Sequence, residues 1–113
     1  MSITVAQAEA AMQAAECLHS AQAVQQAIQT LAVDITAALA DKNPLFICVM
    51  NGGMVTAGHL LAHLPFPLQM DYLHATRYRG ATTGQCDVKW LCYPQNSLTG
   101  RHVLLVDDIL DEG

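Results

Sequence analysis

A mostly parallel α/β sheet flanked by helices is the fold this 113-residue sequence predicts. Three observations predict it. Residues 45–50, LFICVM, form a continuous apolar run, which is how a strand buried on both faces reads. A second run, VLLV at 103–106, ends abruptly in two acids. Between and before these runs the apolar residues recur at helical spacing, and strand alternating with helix is the α/β pattern.

The elements follow in order. Residues 5–40 hold no Pro or Gly and are rich in Ala and Gln. Val24, Ile28, Leu31, Ile35 and Leu39 recur at steps of four and three, one face of a helix. One or two helices are expected, the second ending before Pro44, because a residue preceding proline is pushed out of the helical region. Asn51-Gly52-Gly53 breaks the first apolar run, and residues 54–63 read as a helix. Residues 68–75 read as a second strand. Residues 77–85 are polar, contain Gly80 and Gly84, and read as a mobile loop. Residues 86–93 return as a strand, 94–100 turn, and 102–106 form the last buried strand. The chain is read as one domain, helical over 1–43 and a sheet core over 44–113.

Composition narrows the function. Apolar residues make up 52% and charged residues 13%, against about 25% charged in an average soluble domain. Such a surface is covered by other copies or by more of the same fold. With an ending inside a loop motif, this predicts that the C-terminal part of the fold lies beyond Gly113. The net charge is −5 with five Lys plus Arg, which argues against a nucleic-acid binder. No secretory signal and no membrane span are read, and the four cysteines form no C-x-x-C pair, so a cytoplasmic protein with reduced thiols is expected. His59 and His63 stand i,i+4, but without a Glu between them in the zinc-protease pattern they read as ordinary histidines. Trp90 and Tyr93 read as core or interface residues.

The ending VLLVDDILDEG carries the chemistry. Ligands of open α/β sheets bind beyond the carboxyl ends of strands. Asp107 and Asp108 stand there, and adjacent carboxylates invite a sugar diol or a divalent cation. Asp111, Glu112 and Gly113 read as a tight turn whose successive N–H groups suit a phosphate. An acidic pair after a strand also opens receiver-type signalling domains, although there it lies near the start of the domain.

The full string resembles the phosphoribosyl-diphosphate (PRPP) motif of type I phosphoribosyltransferases. Two further elements follow that family in order. Met50-Asn51-Gly52-Gly53 resembles the pyrophosphate loop of its purine members, whose peptide at the position of Met50–Asn51 can be cis. Many members have Lys where this chain has Asn51. Residues 71–80 resemble the strand and closing loop of hypoxanthine-guanine phosphoribosyltransferases, with Arg77-Tyr78 where Ser-Tyr is usual.

The resemblance implies a type I phosphoribosyltransferase-like fold and purine salvage, joining hypoxanthine or guanine to PRPP to give IMP or GMP and pyrophosphate. It implies Asp107 and Asp108 on the ribose hydroxyls, and Asp111, Glu112 and Gly113 at the 5′-phosphate. Met50, Asn51, Gly52 and Gly53 would meet pyrophosphate. Asp111, Tyr78 and Arg77 would be catalytic, Asp111 as acid/base. Mg²⁺ would be the cofactor, held mainly through substrate and by Asp107 and Asp108. The partners would be PRPP and an oxopurine base, within a homodimer or tetramer. A PRPP-sensing regulator without turnover remains the second class, and residues 1–41 lack the Lys and Arg of a DNA-binding module.

Overall fold

In the computed structural model, residues 2–79 and 86–110 are described. The first helix, α1, spans Val5–Ala14. Thr4 and Gln7 close its N-terminus reciprocally: Thr4 Oγ1 accepts from the Gln7 N–H at 3.1 Å, and the Thr4 N–H donates to Gln7 Oε1 at 2.9 Å. That arrangement satisfies two N–H groups the helix leaves orphaned. Helix α2 spans Ala21–Leu39, with the Ser20 hydroxyl accepting from the Ala23 N–H at 3.1 Å. It stops where Asn43 adopts a positive φ of 43° ahead of Pro44.

The α2 stripe is half right. Ile35 is buried, and Ile28 and Leu39 pack against the core. Val24 and Leu31 instead stay about half exposed and line a groove of about 340 Å³ with Ala27 and Thr56. Ala32, one step round the helix, is buried in their place. Its small side chain lets α2 approach α3, which spans Met54–Leu61 and buries Ala57 and Leu60.

Four strands make one sheet: β1 (Leu45–Val49), β2 (Gln69–Arg79), β3 (Cys86–Cys92) and β4 (Val103–Val106), in the order β3-β2-β1-β4. β1 is central and parallel to both β2 and β4, while β3 runs antiparallel on β2. The fold is therefore α/β with a mostly parallel sheet, as expected. A receiver domain, whose sheet is wholly parallel, does not fit the antiparallel β3. Leu45, Phe46, Ile47 and Cys48 are at most 1% exposed, so both faces of β1 are covered. Phe46 and Cys48 join Leu104, Val106, Ala57, Leu60 and Ile35 in the core beneath the helices.

One expectation needs correction. Residues 77–79 belong to strand β2 rather than to a loop, with Arg77 opposite Val88 and Tyr78 opposite Asp87. The polar composition misled because antiparallel pairing with β3 satisfies the backbone whatever the side chains are. Residues 80–85 lie outside the described residues.

The lower ends of the parallel strands are clamped together. Arg101 Nη1 donates to Gln69 Oε1 at 2.8 Å and Nη2 to the Asn43 carbonyl at 3.1 Å. Gln69 Nε2 donates to Asn96 Oδ1 at 2.8 Å. A second latch is the buried Asp71, 5% exposed. Its Oδ1 accepts from the N–H groups of Tyr72 at 2.8 Å and Gln95 at 3.2 Å. Its Oδ2 accepts from Asn96 N–H and Nδ2, both at 2.8 Å. Together they leave the upper, carboxyl ends for ligand.

Burial alone would push the Asp71 carboxyl up, but these four hydrogen bonds outweigh it and hold the group down at about 2. A depressed carboxyl stabilises the fold above its unfolded value and loses that contribution as pH falls through the folded one. Asp71 should therefore contribute on the order of 2 kcal/mol at neutral pH, lost as pH falls from 3.8 towards about 2. Denaturant melts of wild type and Asp71→Asn across that range check this. A stability gap that stayed constant down to pH 2 would contradict it.

Candidate active site

The parallel pairing of β1 and β4 creates the site. Cys48 lies opposite Val106, so the turn leaving β1 and the acids leaving β4 emerge side by side. Adjacent parallel strands deliver their carboxyl ends to one edge, here those of the inner strand β1 and the edge strand β4.

The turn after β1 is tightly specified. The Met50–Asn51 peptide is cis. The Met50 N–H donates to the Leu73 carbonyl at 2.8 Å and the Gly53 N–H to the Val49 carbonyl at 2.9 Å. Two of the four residues expected to face pyrophosphate thus use their N–H groups inside the fold. The Asn51 and Gly52 N–H groups have no protein acceptor among the described residues. Both residues are exposed, so these are the donors the turn offers to an anion.

The two glycines do different work. A Cβ on Gly53 would lie 2.7 Å from the Val106 carbonyl oxygen, 2.8 Å from that of Val49 and 3.2 Å from Asp107 Cα. Its missing side chain makes room for the protein's own backbone. The three atoms nearest a Cβ on Gly52 would all belong to the Asp108 carboxylate, Oδ2 at 2.6 Å, Cγ at 2.7 Å and Oδ1 at 2.8 Å. The space that the missing side chain of Gly52 leaves is taken by the Asp108 carboxylate.

The acidic pair is also divided. Asp107 Oδ1 accepts from the Asp108 N–H at 2.8 Å, which fixes that carboxylate against its own backbone. Neither Asp108 oxygen accepts a hydrogen bond among the described residues. Both side chains are exposed. Burial pushes the thiol of Cys48 up, and the charge of Asp107 adds to it. Both effects favour the protonated thiol of Cys48.

Two expected catalytic residues stand apart. β2 passes the end of β1 where Leu73 pairs with Val49. Arg77 lies four residues further along the strand, roughly 13 Å at the usual rise. The backbone of Tyr78 follows it in the ladder, and its side chain lies outside the described residues. Asp111, Glu112 and Gly113 also lie outside them. Asp71 is the residue the sequence reading missed. An Asp set among the apolar residues Met70, Tyr72 and Leu73 of a strand was the available signal.

Among the described residues, no three His, Cys, Asp or Glu side chains group as a metal site. Two exposed carboxylates suit Mg²⁺, which keeps most of its water and is commonly held by one or two carboxylates plus substrate phosphates. No described helix is long and apolar enough to cross a membrane.

The model of the phosphoribosyl transferase domain matches residues 14–113. A hypoxanthine-guanine-xanthine phosphoribosyltransferase of Tritrichomonas foetus is 37% identical over 97 residues, covering 85% of this chain and 52% of that protein. A hypoxanthine-guanine phosphoribosyltransferase of Streptococcus thermophilus is 30% identical over 96 residues, covering 85% and 53%. A solved hypoxanthine-guanine-xanthine phosphoribosyltransferase superposes with a TM-score of 0.66 at 30% identity, over 80% of this chain and 49% of that one. A Staphylococcus aureus hypoxanthine phosphoribosyltransferase reaches 0.73 at 19% identity over the same shares, a likeness of fold. The chain spans about half the length of the relatives it matches. With a family match over most of its length, and an acidic pair and a glycine turn meeting at one sheet edge, the chain belongs to the phosphoribosyltransferase domain family.

Proposed function

We propose that the protein transfers the 5-phosphoribosyl group of PRPP to a ring nitrogen of hypoxanthine or guanine, releasing pyrophosphate. One observation carries the reading. The Asp108 carboxylate rests directly on Gly52, so the acid read as holding sugar and the turn read as holding pyrophosphate lie side by side. The diol of the ribose donates to Asp107 and Asp108. The pyrophosphate accepts from the Asn51 and Gly52 N–H groups. Where many relatives by resemblance carry Lys, Asn51 keeps this backbone role and gives up a charge contact.

Displacement at the anomeric carbon forms its bond to the base nitrogen as the bond to pyrophosphate breaks, with the electron pair leaving on pyrophosphate. Fixed N–H donors aimed at the departing oxygens stabilise that charge. Bound Mg²⁺ would neutralise more of it, held by the substrate and by Asp107 and Asp108. Asp111 is the acid/base for the base nitrogen, and Arg77 and Tyr78 close over the sugar to exclude water. Glu112 and Gly113 continue the phosphate cradle.

The chain is read as a single domain in a cytoplasmic protein. Further copies in a dimer or tetramer would cover exposed apolar side chains such as Met70, Leu91, Tyr93 and Leu105. Tyr93 stacks on Trp90 with ring centroids 4.7 Å apart, which suits a rigid interface element.

The test is a competition assay on the full-length protein with PRPP, Mg²⁺ and equimolar hypoxanthine, guanine, xanthine, adenine and orotate. IMP and GMP should dominate. A site donating a hydrogen bond to O6 leaves that donor unpaired opposite adenine's amino group, a mismatch of several kcal/mol. AMP or orotidylate as main product would overturn the substrate class. PRPP binding without product from any base would point to a sensor instead.

A further inference from the structure

We propose that Gly52 is a positioning residue for Asp108, so that the anion-binding turn sets the orientation of the ribose-binding carboxylate. The inference rests on the functional reading above for its kinetic consequence, and on geometry alone for its structural one.

The three distances from a Cβ on Gly52, 2.6, 2.7 and 2.8 Å to Oδ2, Cγ and Oδ1 of Asp108, are nearly equal. A point equally far from all three atoms lies over the face of the carboxylate, not at its edge. The Gly52 hydrogen that takes the place of the Cβ therefore rests on that face. Contact with the face blocks rotation of the group towards the turn. It leaves the edges, where the lone pairs lie, for hydrogen-bond donors. Two edge-directed oxygens are what a sugar diol needs. No hydrogen bond from the described residues reaches either oxygen to orient it.

The neighbouring glycine provides the contrast. A side chain on Gly53 would meet two carbonyls and a Cα, all backbone. A side chain on Gly52 would first meet the end of an exposed side chain that can turn about two torsions. Carbon atoms settle at about 3.5–4.0 Å, so a methyl at Gly52 would push the carboxylate away by about 1 Å while the strands stay in place. Misplacement of that size can cost about a hundredfold in a reaction that depends on orientation.

Two measurements on the full-length protein test this. The first is structural and needs no ligand: a crystal structure of Gly52→Ala. The Asp108 carboxylate should be displaced by about 1 Å from its wild-type position with the β1 and β4 backbones unchanged. A carboxylate left in place, with the turn itself shifted, would overturn the proposal. The second is a double-mutant cycle of Gly52→Ala and Asp108→Ala, read as KM for PRPP, kcat and the inhibition constant of pyrophosphate. Gly52→Ala alone should raise KM for PRPP by about 10- to 100-fold, with a smaller loss of pyrophosphate inhibition, since alanine keeps the N–H that pyrophosphate accepts from. In the Asp108→Ala background, where no carboxylate remains to displace, it should add less than about twofold. Effects that multiply, or pyrophosphate inhibition weakened in step with PRPP, would mean that a side chain at position 52 disturbs the pyrophosphate site itself rather than Asp108, and the proposal would fall. Were the wild type to bind no PRPP at all, the functional reading would fail, while the crystal structure would still decide the positioning.

Discussion

Changing both Asp107 and Asp108 to Asn should reduce PRPP affinity by about 10²–10⁴-fold while leaving the fold intact. Each carboxylate presents acceptors to a hydroxyl, and hydrogen bonds to a charged group are worth about 1.5–3 kcal/mol. Asn keeps the shape but replaces one acceptor oxygen with a donor, which then faces the donor of the diol. It also removes the two charges nearest the place where Mg²⁺ would arrive with the substrate. Stability should hold, because both side chains are exposed. The contact from the Asp108 N–H to the side chain at 107 survives on the amide oxygen. Titration calorimetry with PRPP and Mg²⁺, beside a denaturation curve, measures both halves. Unchanged affinity in a folded double variant would remove the acids from the ligand site.

Gly53→Val should destabilise the protein by more than about 3 kcal/mol, enough to deplete the folded state of a marginal domain. The Cβ alone would enter within 2.8 Å of two carbonyl oxygens and within 3.2 Å of Asp107 Cα. None of these can step aside without moving the ends of β1 and β4, whose pairing is the site. The φ of Gly53 is −77°, so backbone conformation does not demand glycine here and space alone does. Gly53→Ala should cost about 1–3 kcal/mol, the usual range for overpacking. Urea midpoints of both variants, with Gly52→Ala as the neighbouring control, give the comparison. Midpoints for Gly53→Ala and Gly52→Ala that coincided with wild type would mean that the two glycines are equivalent and that neither holds the strand ends together.

Much of this protein was legible in its sequence because the signals were local. A run such as LFICVM with no polar interruption reads as a doubly buried strand, since only the centre of a sheet tolerates it. The step of Ile28, Ile35 and Leu39 along α2, the stop before Pro44 and the acids after VLLV are likewise set by neighbouring residues. The order of acidic motif, glycine turn and Arg-Tyr segment carried the family. Contacts between distant residues decided the rest. Whether Val24 or Ala32 faces the core depends on how close α3 lies. Whether residues 77–79 are loop or strand depends on β3 returning alongside them. The latch of Asp71 exists only because Gln95 and Asn96 fold back over β2. The adjacency of Gly52 to Asp108, 56 positions apart in the chain, arises from parallel pairing of β1 with β4. A run of residues encodes its own periodicity, whereas a partner across the sheet is fixed only when register, burial and backbone hydrogen bonds are satisfied together.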